Sequence, residues 1–573
     1  MRTLVKTLAL AAVTIAAPAA AQEAAGDWAG VLQVSESVRL PVVVHVKRDD
    51  AGVLTGTLDS PSQGAVGLPL AEIAAAEGRL AFKVPAVGGE YAGTWDAGSK
   101  SWKGEWSQGA GSLPLELAAP PPPPPLPANW APPASDRIEA LIAERIAPRA
   151  GQGLVVGVLE PGGRRVVAGG PAGGEPFDGD TLFEIGSISK VFTALLLADM
   201  ANKGEVSLDD PAEKYLPEGA TMPSRNGRKI TLADLSTHTS SLPRLPDNMP
   251  FGDPDDPYAD YTEALLLEFL AGYELPRDIG ERADYSNLGV GLLGYLLARA
   301  AGSDYETLLR DRITGPLGMV DTAITLSADQ QARFAPAFDI FMRPAKPWRL
   351  SVLAGAGAIR STANDMLKFA AAALDPDSPI GPAMRTALSV RRPSGNPRVE
   401  QALGWQVVHP EPGREVVQHG GGTGGFRTHL ALEPSSGRAV VALANSAAEP
   451  SAMDLATHVL IGSPVAPTPP VPPAPPPPVA RAEVALPGAE LDRVVGRYEL
   501  MPELILTLER RGEALMAQLT GQPAFPIFAE APLEFFWRVV DAQVRFTADE
   551  SGKVTGVVLT QNGQQLIGKR LEP

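Results

Sequence analysis

The stretch EIGSISKVFTALLLADM, from Glu184 to Met200, places a serine three residues before a lysine at the head of a long apolar segment. A serine hydroxyl is a weak nucleophile at neutral pH and needs a base within hydrogen-bonding reach. Residues at i and i+3 share one face of a helix, so we expect Lys190 to lie beside Ser187. Burial would lower the pKa of the lysine and let it accept the serine proton. The spacing therefore predicts an activated serine nucleophile.

A tyrosine and an asparagine stand two residues apart in the later stretch DYSNLG, as Tyr285 and Asn287. In an extended segment or turn, such side chains point the same way. Tyr285 could then shuttle a proton, and Asn287 could hold either a substrate amide or the lysine. The alternative is a buried tyrosine near a helix cap.

The stretch HGGGTGGF, from His419 to Phe426, contains five glycines within seven residues after a β-branched run. Glycines let another backbone approach a strand closely. The N–H of Gly422 could pair with that of Ser187 as an oxyanion hole. A glycine-rich hairpin turn is the alternative.

Together these stretches resemble the serine β-lactamase and penicillin-binding-protein superfamily, in the branch of class C β-lactamases, D-amino-acid peptidases and related esterases. The chain carries the three motifs of that family in order, as Ser187-Ile188-Ser189-Lys190, Tyr285-Ser286-Asn287 and His419-Gly420-Gly421. HTSSLP from His238 and AGAGAIRSTANDM from Ala354 are also similar to stretches of that branch. The resemblance implies an α+β fold, in which an antiparallel sheet flanked by helices and a helical subdomain lie between two small all-β domains.

The resemblance also implies a role for each motif residue. Ser187 would be the acylated nucleophile, and Lys190 and Tyr285 would exchange its proton as a coupled pair. The implied substrate-binding residues are Asn287, His419 and Gly421.

The third motif departs from the pattern, because many family members have lysine where this chain has His419. Histidine is largely neutral at pH 7, so a substrate carboxylate would be bound more weakly or by another group, with Arg427 as the candidate. The departure favours an esterase or a D-amino-acid-directed amidohydrolase over an efficient β-lactamase.

Composition excludes several other classes of protein. The formal net charge of −17 argues against a nucleic-acid partner, which needs clustered lysine and arginine. The absence of cysteine excludes disulfides, a thiol nucleophile and a zinc–thiolate site. The remaining histidines show no metal-ligand spacing, so we predict neither metal nor cofactor. His238 is expected to make a structural hydrogen bond, and the acidic stretch Pro246–Tyr261 is expected to be a solvated loop rather than a cation site.

The chain has 573 residues, and two proline-rich runs divide it into three predicted folded pieces. The predicted boundaries are a signal peptide at 1–21, an all-β domain at 22–117, a linker at 118–135, the catalytic domain at 136–462, a second linker at 463–480 and a lipocalin-like β-barrel at 481–573. Trp28, Trp95, Trp102 and Trp106 are expected to fill the core of the first β domain rather than line a ligand surface. No run after residue 21 is long and apolar enough to span a bilayer.

The first residues have a basic start, an apolar run and Ala19-Ala20-Ala21 before Gln22, which is typical of a secretory signal peptide. The sequence thus predicts a periplasmic or secreted serine hydrolase that forms an acyl-enzyme at Ser187 on small-molecule or peptide amides, esters or β-lactams, without membrane insertion. Its oligomeric state is left open. The alternative is a catalytically weak protein of the cell envelope that binds peptide or glycan.

Overall fold

The computed structural model describes residues 24–33, 39–48, 52–60, 65–76, 78–108, 111–120, 125–127, 129–171, 174, 176–250, 252–253, 255–450, 452–471, 481–501, 504–512, 514–520, 524–538, 540–561 and 564–571. The predicted signal peptide and residues 472–480 of the second linker lie outside these ranges. Contacts divide the chain into two compact units, which are Pro124–Val479 and the flanking stretches Met1–Pro123 with Ala480–Pro573.

The N-terminal region is an antiparallel sheet of nine strands in the order β4-β3-β2-β1-β9-β8-β7-β6-β5. The strands are β1 (Gly26–Gln33), β2 (Arg39–Arg48), β3 (Leu54–Ser60), β4 (Ala65–Pro69), β5 (Ala71–Ala76), β6 (Arg79–Val84), β7 (Gly89–Asp96), β8 (Ser101–Gln108) and β9 (Gly111–Ala118). Trp28, Trp102 and Trp106 are buried, and the half-buried Trp95 packs edge-on against Trp102 with ring centroids 5.1 Å apart. The prediction that tryptophans fill this core is confirmed.

The central unit contains an eight-stranded antiparallel sheet in the order β11-β10-β21-β20-β19-β18-β17-β16. Its strands and two short pairs are β10 (Leu154–Glu160), β11 (Gly163–Gly169), β12 (Phe183–Glu184), β13 (Ser224–Arg225), β14 (Arg228–Lys229), β15 (Arg360–Ser361), β16 (Arg392–Pro393), β17 (Val399–Gln401), β18 (Gln406–Val408), β19 (Val416–Gly422), β20 (Arg427–Glu433) and β21 (Arg438–Ala444). Its helices are α1 (Ser135–Ile146), α2 (Ser189–Asn202), α3 (Leu232–Ser236), α4 (Glu263–Gly272), α5 (Asn287–Ala300), α6 (Tyr305–Leu309), α7 (Ala328–Ala332), α8 (Ala363–Leu374), α9 (Gly381–Ser389) and α10 (Met453–Ile461). Short 3-10 turns of this unit lie at Gly186–Ile188, Ala212–Tyr215 and Ala354–Ala356, and Arg310–Thr314 is a π-helical turn; a further 3-10 turn, Pro85–Val87, joins β6 to β7 in the N-terminal sheet.

Alternation along the strands of this sheet separates two apolar cores, because successive side chains of a strand face opposite sides. On β10, Leu154, Val156 and Val158 pack with α1 and α10, whereas Val155 packs with α2 and α8 on the other face. Helix α2 is apolar around most of its circumference and almost fully buried, as a core helix must be. The predicted sheet with helices on both faces is therefore confirmed.

Thr231 with Asp234 and Thr362 with Asp365 each have the spacing of a capping box, which predicts a helix start at both places. Thr231 and Asp234 make both reciprocal hydrogen bonds at the start of α3, as predicted. At α8, Thr362 accepts a hydrogen bond from the backbone N–H of Asp365, but no reciprocal bond forms. The Asp365 carboxylate accepts instead from the N–H of Asp321 at 2.7 Å and from Lys368 Nζ at 2.7 Å, so it ties a loop to the helix.

The C-terminal region is a closed barrel of eight antiparallel strands in chain order, preceded by helix α11 (Gly488–Val494). The strands are β22 (Gly496–Met501), β23 (Leu504–Arg511), β24 (Ala514–Leu519), β25 (Phe525–Ala531), β26 (Glu534–Trp537), β27 (Ala542–Ala548), β28 (Val554–Gln561) and β29 (Gln564–Arg570). Pairing of β22 with β29 closes the barrel, and its up-and-down topology is that of the lipocalin-like barrel predicted at 481–573.

The described end of the first proline-rich run is attached to the central unit and is not a free spacer. The indole N–H of Trp130 donates to the Val459 carbonyl at 3.0 Å, and the Leu126 N–H donates to Glu411 at 2.9 Å. The ordering follows from the tryptophan and leucine within the run, which supply contacts that proline alone lacks. Among the described residues, no helix is long and apolar enough to cross a membrane.

Candidate active site

Ser187 lies in the 3-10 turn Gly186–Ile188, directly before α2. The sequence predicted an α-helix from Ser187 onward, whereas the α-helix begins at Ser189. The tighter turn still places residue i+3 above residue i. Gly186 has a left-handed φ of +53°, and a Cβ there would lie 2.7 Å from the backbone nitrogen of Gly422. Glycine is therefore required for the turn to lie against β19.

Lys190 is in the first turn of α2 and is fully buried. Its Nζ donates to Ser187 Oγ at 3.0 Å and to the Ala356 carbonyl at 2.7 Å, and it forms no ion pair with any described carboxylate. Burial, and then the nearby charge of Arg244, hold the pKa of Lys190 well below its usual range. An amine in this setting is readily neutral and can accept the serine proton.

Tyr285 completes a group of three at this point, since its ring centroid is 4.9 Å from Lys190 Nζ. Burial raises the pKa of Tyr285 to about 12, while interactions with the Ser187 side chain and with the charge of Arg244 act in the opposite direction. The phenol thus stays protonated at neutral pH and can donate a proton to a departing group. The hydroxyl, amine and phenol expected from the sequence lie together.

Asn287 is the first residue of α5, whose N-cap Ser286 accepts the backbone N–H of Gly289 at 2.8 Å. Its Nδ2 donates to the hydroxyl of Tyr258 at 2.9 Å, while its Oδ1 is buried without a partner among the described residues. The hydrogen bonds of Lys190 go elsewhere, so the option that Asn287 holds the lysine is not observed. The amide oxygen is therefore the polar atom of this side chain that the described residues leave unpaired.

The third motif lies on β19, opposite β20. His419 is buried, its Nδ1 is 2.7 Å from the Gly420 carbonyl oxygen, and its ring centroid is 6.3 Å from that of Tyr285. Burial, followed by the charge of Lys190, lowers the pKa of His419 to about 3, so this histidine is uncharged at neutral pH. At Gly421 a Cβ would lie 2.0 Å from the Ile185 carbonyl oxygen, which excludes any side chain there.

The stretches carrying Ser187 and Gly422 lie side by side, as the contact at Gly186 requires. Thr428 on β20 fixes this approach by donating its hydroxyl to the Ile185 carbonyl at 2.9 Å. Two main-chain segments beside a nucleophile are the arrangement in which paired N–H groups can stabilise a developing oxyanion.

His238 has the structural role that the sequence favoured. Its Nδ1 accepts the backbone N–H of Ser286 at 3.1 Å, and its ring packs on Tyr285 with centroids 4.6 Å apart. His238 thereby packs against the Tyr285 ring and fixes the start of α5.

Sequence reasoning missed two side chains of the site, Arg244 and Tyr258. The guanidinium carbon of Arg244 is 5.2 Å from the Tyr285 ring centroid, and Tyr258 contacts Asn287 as described. Both occur close to stretches that the sequence had marked, one just after HTSSLP and the other within the acidic loop. Arg427, which the sequence suggested for carboxylate binding, instead donates to Glu449 at 3.0 Å and to the Thr423 carbonyl at 2.9 Å.

The described residues of the acidic stretch Pro246–Tyr261 are held in place by cationic side chains, in contrast to the solvated loop that the sequence predicted. Asp256 is buried and accepts from Arg349 Nε at 2.6 Å, and Asp253 pairs with Lys346 at 2.6 Å. Trp348 packs on Tyr258 with ring centroids 5.3 Å apart. No cluster of metal-ligating side chains occurs anywhere in the described ranges. The loop therefore presents Tyr258 to the site.

Comparisons with known proteins match both the central unit and the barrel. Residues 138–462 match the beta-lactamase family, and residues 480–570 match a domain of unknown function, DUF3471. The D-alanyl-D-alanine-carboxypeptidase/endopeptidase AmpH of Escherichia coli K12 is 36% identical over 270 residues, which are 44% of this chain and 68% of that protein. A beta-lactamase of Pseudomonas fluorescens is 27% identical over 332 residues, covering 51% of this chain and 88% of its own. The crystal structure of a beta-lactamase/D-alanine carboxypeptidase from Yersinia pestis is 27% identical with a TM-score of 0.49, covering 57% of this chain and 96% of that one.

Proposed function

Because this chain belongs to the beta-lactamase family and is a serine hydrolase of that class, we propose that it is an exported enzyme whose Ser187 forms an acyl-enzyme with amide, ester or β-lactam carbonyls. Ser187, Lys190 and Tyr285 are the proposed catalytic residues. The proposed substrate-binding residues are Asn287, His419 and Gly421, and the backbone N–H groups of Ser187 and Gly422 form the proposed oxyanion hole.

The observation that carries the proposal is the bond from the buried Lys190 Nζ to Ser187 Oγ at 3.0 Å. A charged lysine at this depth would need a carboxylate, and none of the described carboxylates contacts it. The neutral amine instead suits a general base, which works best when its pKa lies near the operating pH.

In the proposed reaction, the Lys190 amine takes the Ser187 hydroxyl proton as Oγ bonds to the carbonyl carbon. The carbonyl electron pair moves onto oxygen and is stabilised by the two backbone N–H groups. When the carbon–heteroatom bond breaks, the leaving group takes a proton from Tyr285, and Lys190 returns a proton to the tyrosine. Water, deprotonated by the same pair, then cleaves the acyl ester and restores the Ser187 hydroxyl.

Labelling with a fluorophosphonate tests the nucleophile, since such probes form a stable adduct with activated serines. We expect a mass adduct on the peptide that contains Ser187 and none in Ser187→Ala. Ser189→Ala, two residues away on the first turn of α2, is the matched control and keeps the label. A folded wild-type protein that takes up no label would refute the acyl-enzyme proposal.

Substrate preference follows from the uncharged third motif. Both named relatives act on β-lactams or D-alanyl peptides by their names. Because His419 offers no cation, we propose that short esters and D-amino-acid amides are better substrates than cephalosporins. A panel of p-nitrophenyl esters, D-alanyl peptides and nitrocefin measures the order, with Ser187→Ala as the blank.

The same uncharged histidine favours a second candidate, a cell-envelope protein that binds peptide or glycan with little turnover. Turnover of any panel substrate by wild type, absent in Ser187→Ala, would exclude it.

Export is proposed from the N-terminal segment alone. Fractionation of expressing cells, with mass analysis of the mature N-terminus, is expected to give periplasmic or secreted protein beginning at Gln22. Uncleaved protein in the cytoplasm would contradict export.

A further inference from the structure

The cleft has no positive charge at its third motif. His419 is buried and uncharged, with one ring nitrogen 2.7 Å from the Gly420 carbonyl oxygen. Arg427, eight residues further along, is engaged by Glu449 and by the carbonyls of Thr423 and Phe426. Neither side chain presents a free cation to a substrate.

Arg244 is held beside the nucleophile by its own main chain. Its carbonyl accepts the N–H groups of Asn287 at 3.0 Å and Leu288 at 3.2 Å, which fixes it at the start of α5. Its guanidinium carbon is 5.2 Å from the Tyr285 ring centroid, and Lys190 Nζ is 4.9 Å from the same centroid. Because the two distances share one ring, the guanidinium lies within about 10 Å of the amine that contacts Ser187.

The charge of Arg244 is available. The side chain is exposed and makes no ion pair or side-chain hydrogen bond with any described residue. Two other arginines of the same unit are occupied, since Arg277 pairs with Asp284 at 2.6 Å and Arg349 pairs with Asp256 at 2.6 Å. Burial, and then the charge of Arg244, lower the pKa of Lys190, in keeping with the short distance between the two side chains.

We propose that Arg244 forms a carboxylate-binding subsite that replaces the missing cation of the third motif. It rests on the proposed function of Ser187 as the nucleophile. A planar guanidinium binds a carboxylate through two parallel hydrogen bonds, and a lysine cannot reproduce that geometry. A carboxylate one residue beyond a scissile amide lies about 4 Å from the reacting carbonyl, which fits a guanidinium held within about 10 Å of the amine that contacts Ser187. Among peptide substrates, the subsite therefore favours those with a free C-terminal carboxylate over the same peptides with a neutral cap.

Arg244 could instead act only through the phenol on which it stacks, by stabilising the phenolate of Tyr285. That role would change the reactivity of every substrate equally. A subsite changes only the discrimination between anionic and neutral substrates, so the two roles are separable by matched ligands.

Binding to the full-length Ser187→Ala protein tests the subsite independently of turnover. Calorimetry is carried out with N-acetyl-D-alanyl-D-alanine and with the same peptide capped as its C-terminal amide. We expect the free carboxylate to bind about tenfold or more tightly, because a charged hydrogen bond contributes about 1.5–3 kcal/mol. Adding Arg244→Gln removes this preference, Arg244→Lys restores part of it, and the control Arg427→Gln retains it. Equal affinities for the two peptides, including no binding of either, overturn the proposal, as does a preference that survives Arg244→Gln.

Kinetics on the enzyme with Ser187 intact provide the second readout. Arg244→Gln is expected to lower kcat/KM for the free peptide at least about tenfold more than for neutral p-nitrophenyl acetate, mainly through KM. Equal losses on both substrates overturn the subsite and assign the arginine to Tyr285. Failure of the proposed function appears separately, as a missing fluorophosphonate adduct at Ser187, and the binding comparison remains decisive in that case.

Discussion

Each face of the central sheet buries a basic side chain, and the two side chains have opposite surroundings. On the face covered by α1 and α10, Arg145 donates to both oxygens of Asp454, at 2.9 and 2.8 Å. On the face covered by α2 and α8, Lys190 contacts only a hydroxyl and a carbonyl oxygen. Both side chains are at most 2% exposed.

The presence or absence of a carboxylate partner separates a structural basic side chain, Arg145, from a reactive one, Lys190. A buried arginine bonded to a carboxylate on another helix joins the two helices. A buried lysine without a carboxylate is driven toward the neutral form, because burial disfavours the charged one. The same depth therefore stabilises the fold on one face and supplies a base on the other.

The largest expected effect comes from Lys190→Met. Removal of a general base lowers kcat/KM by about 100- to 10,000-fold, measured with p-nitrophenyl acetate. The free energy of unfolding should stay the same or rise, because no charged partner is left unpaired. Lys203→Met, at the exposed end of α2, is the control and keeps its activity. A large loss of stability with retained activity would mean that Lys190 is structural, like Arg145.

Arg145→Met should have the opposite result. It leaves the Asp454 carboxylate without its partner, and breaking such a pair costs about 3 kcal/mol of unfolding free energy. The kcat/KM of the folded protein stays unchanged. Chemical denaturation and kinetics on one preparation measure both quantities. The double variant Arg145→Met with Asp454→Leu should recover part of the stability, and a failure to do so would show that the charge pair is not the cause.

Tyr258→Phe probes the catalytic face with a smaller change. It removes the hydroxyl that accepts a hydrogen bond from the Asn287 amide. Such a bond contributes about 1 kcal/mol, so we expect kcat/KM on a peptide amide to fall about fivefold. Tyr261→Phe, in the same loop but bonded to Asn248, is the matched control and leaves kcat/KM unchanged. Equal effects of the two variants would show that the loop acts only through stability.

The smallest expected effect is on the thermal midpoint and comes from His45, a histidine of the N-terminal sheet whose pKa shifts in the opposite direction to that of His419. Burial lowers the pKa of His45, but hydrogen bonds with Asp27 and Asp59 outweigh it, so the net pKa is raised. A raised pKa stabilises the fold below the ordinary value of 6.5, and this stabilisation is lost as pH rises through the folded value. His45→Gln should therefore lower the thermal midpoint by about 1–2 °C at pH 5.5 and less at pH 8.5, followed by tryptophan fluorescence. A larger drop at pH 8.5 would reverse the sign. His419, with its pKa near 3, stays neutral over this range.

Local patterns predicted a large part of the fold. The strand pair of β10 and β11, the final three strands of the sheet and the barrel meander follow from alternation and turn residues. The second capping box was only half right, because the Asp365 carboxylate accepts instead from the N–H of Asp321 in a distant loop and from Lys368 in the same helix. The described end of the first proline run was misjudged for a similar reason, since its attachment depends on Trp130 meeting α10.

The sequence by itself determined which residues could react, because the i, i+3 spacing of Ser187 and Lys190 and the glycines of the third motif are constraints within a few residues. Only the tertiary structure decided their charges and partners. Burial lowers the pKa values of Lys190 and His419, and a free Arg244 lies beside Tyr285 while Arg427 is occupied. Desolvation and Coulomb interactions depend on everything packed within several ångströms, and those neighbours come from segments distant in the sequence, as Ala356 is 166 residues from Lys190.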